Sequence, residues 1–169
     1  MKRVLFLAVL LLASAGARAE ELVFEVAAQK FKVTLPNVPA MTMDVHPMHV
    51  EQPHLRLLGT EGPYTVSVMT PTAQAGMSAL ECASATLGSI AQRPGVPPRE
   101  HIYKVRLNER TFAAIYSSPL PYAVQLNAHF MSAAGGTHCV EVHASKVSQS
   151  PDDLDGWFKG FDKADIEPR

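Results

Sequence analysis

The sequence predicts a single exported α+β domain: a mostly antiparallel sheet built from consecutive hairpins, with two helices packed on it. Three observations lead there. A charged-then-apolar opening stretch ends in a small-residue cleavage box, Ala17-Arg18-Ala19, which leaves 150 of the 169 residues to fold. Short runs of alternating apolar and polar residues recur, each bounded by Pro, Gly or Asn. Two segments carry helical periodicity behind a capping signal.

The opening stretch reads as a secretory signal peptide over residues 1–19. Met1, Lys2 and Arg3 form the positive end, and residues 4–13 are apolar but too short to span a bilayer, which takes about 20 residues. No cysteine follows to accept a lipid, and no later stretch is long enough to insert. The domain is then residues 20–169, in the periplasm or secreted.

Residues 22–26 and 31–35 are β-rich, and Phe31, Val33 and Leu35 alternate with polar residues, so they read as a hairpin. Residues 36–53 contain four prolines and no periodicity, and are expected to form a long loop. Residues 54–59 and 64–70 make a second strand pair around Glu61-Gly62-Pro63. Ser78 and Glu81 then form a capping box, followed by an apolar stripe of Leu80, Ala83, Leu87, Ile90 and Ala91. Strands are expected over 101–107, 110–116, 122–132 and 137–145. Ser150-Pro151-Asp152-Asp153 starts a closing helix, with Leu154, Trp157, Phe158 and Phe161 as its core stripe.

This order resembles that of PsbP/Mog1-like proteins. The likeness rests on the opening strand that ends in proline (residues 31–36), the mid-chain helix, the later hairpins, and a closing helix that ends in an aromatic (residues 157–161). It covers most of the domain at the level of element order. It implies a non-catalytic accessory or binding role.

Charge narrows the partners. Of 15 Lys and Arg, three leave with the signal peptide, so 12 remain against 16 acidic residues, a formal net charge of −4. Nucleic acid and anionic membranes call for a basic surface, and both are disfavoured. Cys82 and Cys139 are the only cysteines, and in an oxidising compartment they are expected to pair; a reactive thiol is the alternative. No G-x-S-x-G, H-E-x-x-H, P-loop or G-x-G-x-x-G is present, which argues against an enzyme.

Two constellations could carry function. In the 41–54 loop, Met41, Met43, His46, Met48, His49 and His54 bring together thioethers and imidazoles, the donors that suit copper; an ordinary connecting loop is the alternative. In the last hairpin, a turn at residues 134–136 would pair Phe130 with Val140, His129 with Glu141, and Asn127 with His143. Asn127, His129, Glu141 and His143 would then share one face, as a solvated surface, a metal or proton-transfer site, or a partner-binding patch. A disulfide to Cys139 would require the mid-chain helix to cover part of that face. The function expected from the sequence is a non-catalytic periplasmic binding or accessory protein with a protein partner, as inhibitor, immunity protein or escort. A copper-binding protein using the 41–54 loop is the alternative.

Overall fold

Phe31, Val33 and Leu35 have no exposed surface, whereas Lys32 and Thr34 between them keep some. The alternation in the sequence thus becomes the inner face of a strand. The computed structural model describes residues 20–26, 29–45, 54–71, 76–134 and 138–169. The expected signal peptide lies outside the described residues. In chain order the elements are β1 (Glu20–Val26), β2 (Gln29–Leu35), β3 (Asp44–Val45), β4 (Leu55–Glu61), β5 (Tyr64–Met69), α1 (Ala79–Ile90), β6 (Tyr103–Arg106), β7 (Phe112–Pro119), β8 (Val124–Ala134), β9 (His138–Ser148), α2 (Asp153–Phe158) and β10 (Asp165–Pro168).

The class is α+β, and every strand pairing described is antiparallel. There are two sheets among the described residues rather than the expected one. Seven strands run in the order β3-β4-β5-β9-β8-β7-β6, and three in the order β1-β2-β10. The small sheet and the α2 region cover one face of the large sheet. Phe31, Val33, Val142, Phe130, Trp157, Phe161 and Ile166 meet there in one core. Phe161 sits 5.1 Å from Phe130 and 5.0 Å from Trp157, ring centre to ring centre. On the other face α1 packs against β7, β8 and β9 over a second, smaller core.

Several boundaries differ from expectation for identifiable reasons. The 36–53 loop contains β3, whose two residues pair with Leu57 and Leu58; residues 46–53 lie outside the described residues. The closing helix begins at Asp153, not Ser150, because residues 150–152 form a turn in which the Ser150 carbonyl accepts from the Asp153 amide. After six residues it tightens into a 3-10 segment, Lys159–Lys163. At Gly160 an added Cβ would overlap the Asn37 side chain, whose amide donates to the Trp157 carbonyl at 3.3 Å. β10 is absent from the sequence reading. Four residues show too little alternation to read, and Asp165 fixes the strand through tertiary contacts: it accepts from Asn108, Thr111 and Arg110 at 2.9, 2.8 and 2.7 Å.

Candidate functional site

Helix α1 is anchored at both ends of its first turn. Ser78 accepts from the Glu81 amide, and the Glu81 carboxylate returns to the Ser78 amide at 2.8 Å, the reciprocal capping box. One turn on, Cys82 is disulfide-bonded to Cys139 of β9, with the two Cα atoms 5.5 Å apart. This bond sets the rotation of the helix. Cys82, Ala83, Thr86, Leu87 and Ile90 are buried against the sheet, while Leu80, expected in the buried stripe, is 57% exposed. Neither thiol is free, so the reactive-thiol alternative falls.

Beneath and beside α1, three rows of side chains cross the sheet. Because directly paired residues share a face, Met131, Glu141 and Met69 form one row, His129, His143 and Ser67 the next, and Asn127, Ser145 and Thr65 the third. The last hairpin is shifted from the expected register. His129 lies opposite His143, Phe130 opposite Val142 and Met131 opposite Glu141. The last described pair is Ala134 with His138. Each strand keeps its inward and outward residues, so the expected faces hold while every expected pair is replaced.

Asn127, His129, Glu141 and His143 do come together, but not on a solvated face. The first three are buried and His143 is half-buried. The His129 and His143 rings stack at 4.1 Å and within 3° of parallel. His129 Nδ1 is 2.8 Å from Glu141 Oε1, and its Nε2 is 3.1 Å from the Tyr116 hydroxyl. Burial, reinforced by the nearby Arg93 charge, pulls His129 down to about 3. Burial pushes Glu141 up, and Tyr116 up to about 12. With His129 held neutral, the His129–Glu141 contact is a hydrogen bond and not an ion pair. A neutral His129 with its proton on Nδ1 satisfies both contacts: the tyrosine O–H donates to Nε2, and Nδ1–H donates to the carboxyl. Burial also holds His143 well below its ordinary range. Its Nε2 donates to Asn127 Oδ1 at 3.0 Å, and the Asn127 amide nitrogen donates to the Gln125 carbonyl at 3.0 Å. Asn127, His129 and Glu141 are therefore shielded, whereas His143 keeps some exposed surface.

Open space adjoins it. A cavity of about 170 Å³ is lined by Met69, Pro71, Met77, Thr86 and Cys139, with Glu141 at its wall. A second, of about 590 Å³, lies over Thr65, Ser67, His143 and Ser145. His54, Met69 and Arg93 line both, so the two make one trough beside α1. Arg93 follows the end of the helix and is itself exposed; among the described residues it is in no ion pair.

The six expected copper ligands do not share one place. Met41 and Met43 fold over Gly59, where an added Cβ would lie 3.0 and 2.5 Å from their sulfurs. They pack against the core on the small-sheet side. His54 precedes the start of β4 and lines the trough on the α1 side. Five residues of strand separate it from Gly59, about 16 Å at the usual rise, so one ion cannot bridge them. His46, Met48 and His49 lie outside the described residues. Among the described residues no cluster of three or more His, Cys, Asp or Glu could hold a metal.

Arg93, Tyr116, Met69 and Met77 are missing from the site expected from the sequence. Tyr116 lies in a strand that is apolar on both faces, from Phe112 to Ile115, so alternation there does not mark it as a partner of His129. Nothing local marks Arg93. No protein-family model and no curated protein matches the chain.

Proposed function

We propose that this chain is a non-catalytic binding protein of an exported compartment, and that it binds a small molecule in the trough beside α1. The observation that carries this reading is the sharing of His54, Met69 and Arg93 by two adjoining cavities, over a floor of hydroxyl and imidazole groups. Concave, mostly apolar sites with a few convergent polar groups are the usual form of ligand pockets. The Cys82–Cys139 disulfide fits export, and no helix among the described residues is long and apolar enough to cross a membrane. The Tyr116–His129–Glu141 chain supports a structural role for these groups, since its members are buried and bonded to one another. Of the roles expected from the sequence, escort suits a trough best. Inhibitor and immunity roles would use an exposed polar face, whereas Asn127, His129 and Glu141 are buried. The test is occlusion: Thr65→Phe places a ring across the larger cavity on a strand position that accepts aromatics. It should abolish saturable small-molecule binding while leaving the circular dichroism spectrum unchanged. Binding that survives the ring would remove the trough from consideration.

A second reading has one observation in its favour. His54, Met69 and Met77 line the smaller cavity together, an imidazole and two thioethers. These are donors suited to Cu(I). Under this reading one equivalent of Cu(I) binds the wild type, and the Met69→Leu/Met77→Leu pair loses it. Undiminished Cu(I) binding by that pair would end the copper reading of this cavity.

A further inference from the structure

We propose that the trough is specific for a small organic anion, a monocarboxylate with an apolar body, whose charged end is held by Arg93. The inference rests on the trough being the binding site and goes further by naming the ligand class. Arg93 is the one Lys or Arg side chain lining either cavity, it lines both, and it is in no ion pair among the described residues. An unpaired guanidinium at the wall of a concave site presents a planar fork of donors that matches a carboxylate.

The surroundings set the rest of the ligand. Met69, Pro71, Met77 and Ala85 make the narrower end apolar, which suits a hydrocarbon body. At the wider end Thr65, Ser67 and Ser145 offer hydroxyls that can donate to a carboxylate oxygen. His129 and His143 add no positive charge, since His129 bonds Glu141 and Tyr116, and His143 bonds Asn127. Arg93 then faces the ligand as the one Lys or Arg, with the exposed His54 imidazole beside it and the Glu141 carboxyl in the wall of the smaller cavity. A doubly charged group such as phosphate would meet too little positive charge and a carboxyl neighbour. A neutral amphiphile would leave the guanidinium unanswered.

Calorimetric titration of the mature chain at low ionic strength tests this, with octanoate and octan-1-ol as probes. Octanoate should bind saturably at one site per chain, and more tightly than the alcohol. Arg93→Gln should weaken octanoate by roughly tenfold or more and the alcohol by much less. Arg93→Lys, which keeps the charge but loses the fork, should restore part of the difference. Thr65→Phe should remove binding of both probes. If acid and alcohol bind equally and Arg93→Gln changes neither, the trough stands as a binding site and the anion assignment is wrong. If the wild type binds neither probe, or if Thr65→Phe leaves octanoate binding intact, the trough reading fails and takes the anion assignment with it.

Discussion

Both ring nitrogens of the fully buried His129 are occupied, and its ring lies on that of His143. This packing ties stability to pH. The unfolded histidines protonate near 6.5, whereas the folded ones stay neutral well below it. On acidification below about pH 6.5 the unfolded chain binds more protons, so stability falls, by up to about 1.4 kcal/mol per pH unit for each histidine. Glu141 acts in the opposite sense. Its folded pKa is raised, so from that value down to 4.5 the folded state holds the extra proton and gains stability as pH falls. The groups that set the balance are Tyr116 on β7, His129 on β8, Glu141 and His143 on β9, and Arg93 after α1. Urea unfolding between pH 7 and 5 should therefore show a loss of stability, and Glu141→Gln should steepen it by removing the opposing proton. A flat profile in the wild type would mean that the histidines are not held neutral.

At the scale of elements, α1 is held by its cap and its disulfide, and the C-terminal segment by close approach. Ser78→Ala removes the hydroxyl half of the capping box, leaving the backbone bond to the Glu81 carboxylate, and should cost about 1 kcal/mol in denaturant unfolding, as lost N-caps do. Gly160→Ala pushes on the Asn37 side chain, which ties the turn after β2 to the end of α2. It should destabilise by about 1–3 kcal/mol, the range for overpacking. An unchanged midpoint would show that Asn37 swings away freely. Ile166 of β10 has no exposed surface, and Ile166→Ala should cost about 2–5 kcal/mol. A cost below about 1 kcal/mol would mean that β10 is not part of the core. Asp165 sets the pH limit of this strand. Burial pushes its carboxyl up, but hydrogen bonds from Arg110, Thr111 and Asn108 outweigh it and hold it at about 2. Its contribution is complete above the unfolded value of 3.8 and is lost as pH falls toward 2.

Across the whole molecule, the disulfide joins the α1 layer to the large sheet and closes a loop with a sequence separation of 57. In the chain-entropy model that is worth about 4 kcal/mol. The double change Cys82→Ser/Cys139→Ser should lower thermal stability accordingly and loosen α1 over the trough. Octanoate binding should weaken in parallel, because the trough uses α1 as one wall. A variant that kept wild-type stability would show that α1 is held by its smaller core alone.

Local sequence alone determined most of the strands, though not β3 or β10, together with the capped helix and the faces of the last hairpin. Alternation in Phe31–Leu35 and in residues 126–131 records which side of a strand is buried, because side-chain direction repeats every two residues. Ser78 and Glu81 carry their geometry within four residues. The pairing of Cys82 with Cys139 followed from their number and compartment, not from any spacing. Only the tertiary structure decided how these parts meet. The register of β8 with β9 differs by two residues from the expected pairing, a shift that local patterning does not specify because the faces stay the same. That shift stacks His129 on His143 and sets Glu141 diagonally to His129. The burial of Cys82 and Thr86, rather than of Leu80, follows from a disulfide partner 57 residues away. Arg93 joins the site because the chain leaves α1 above β5 and β9. No periodicity encodes that position, because it depends on distant elements packing together at once.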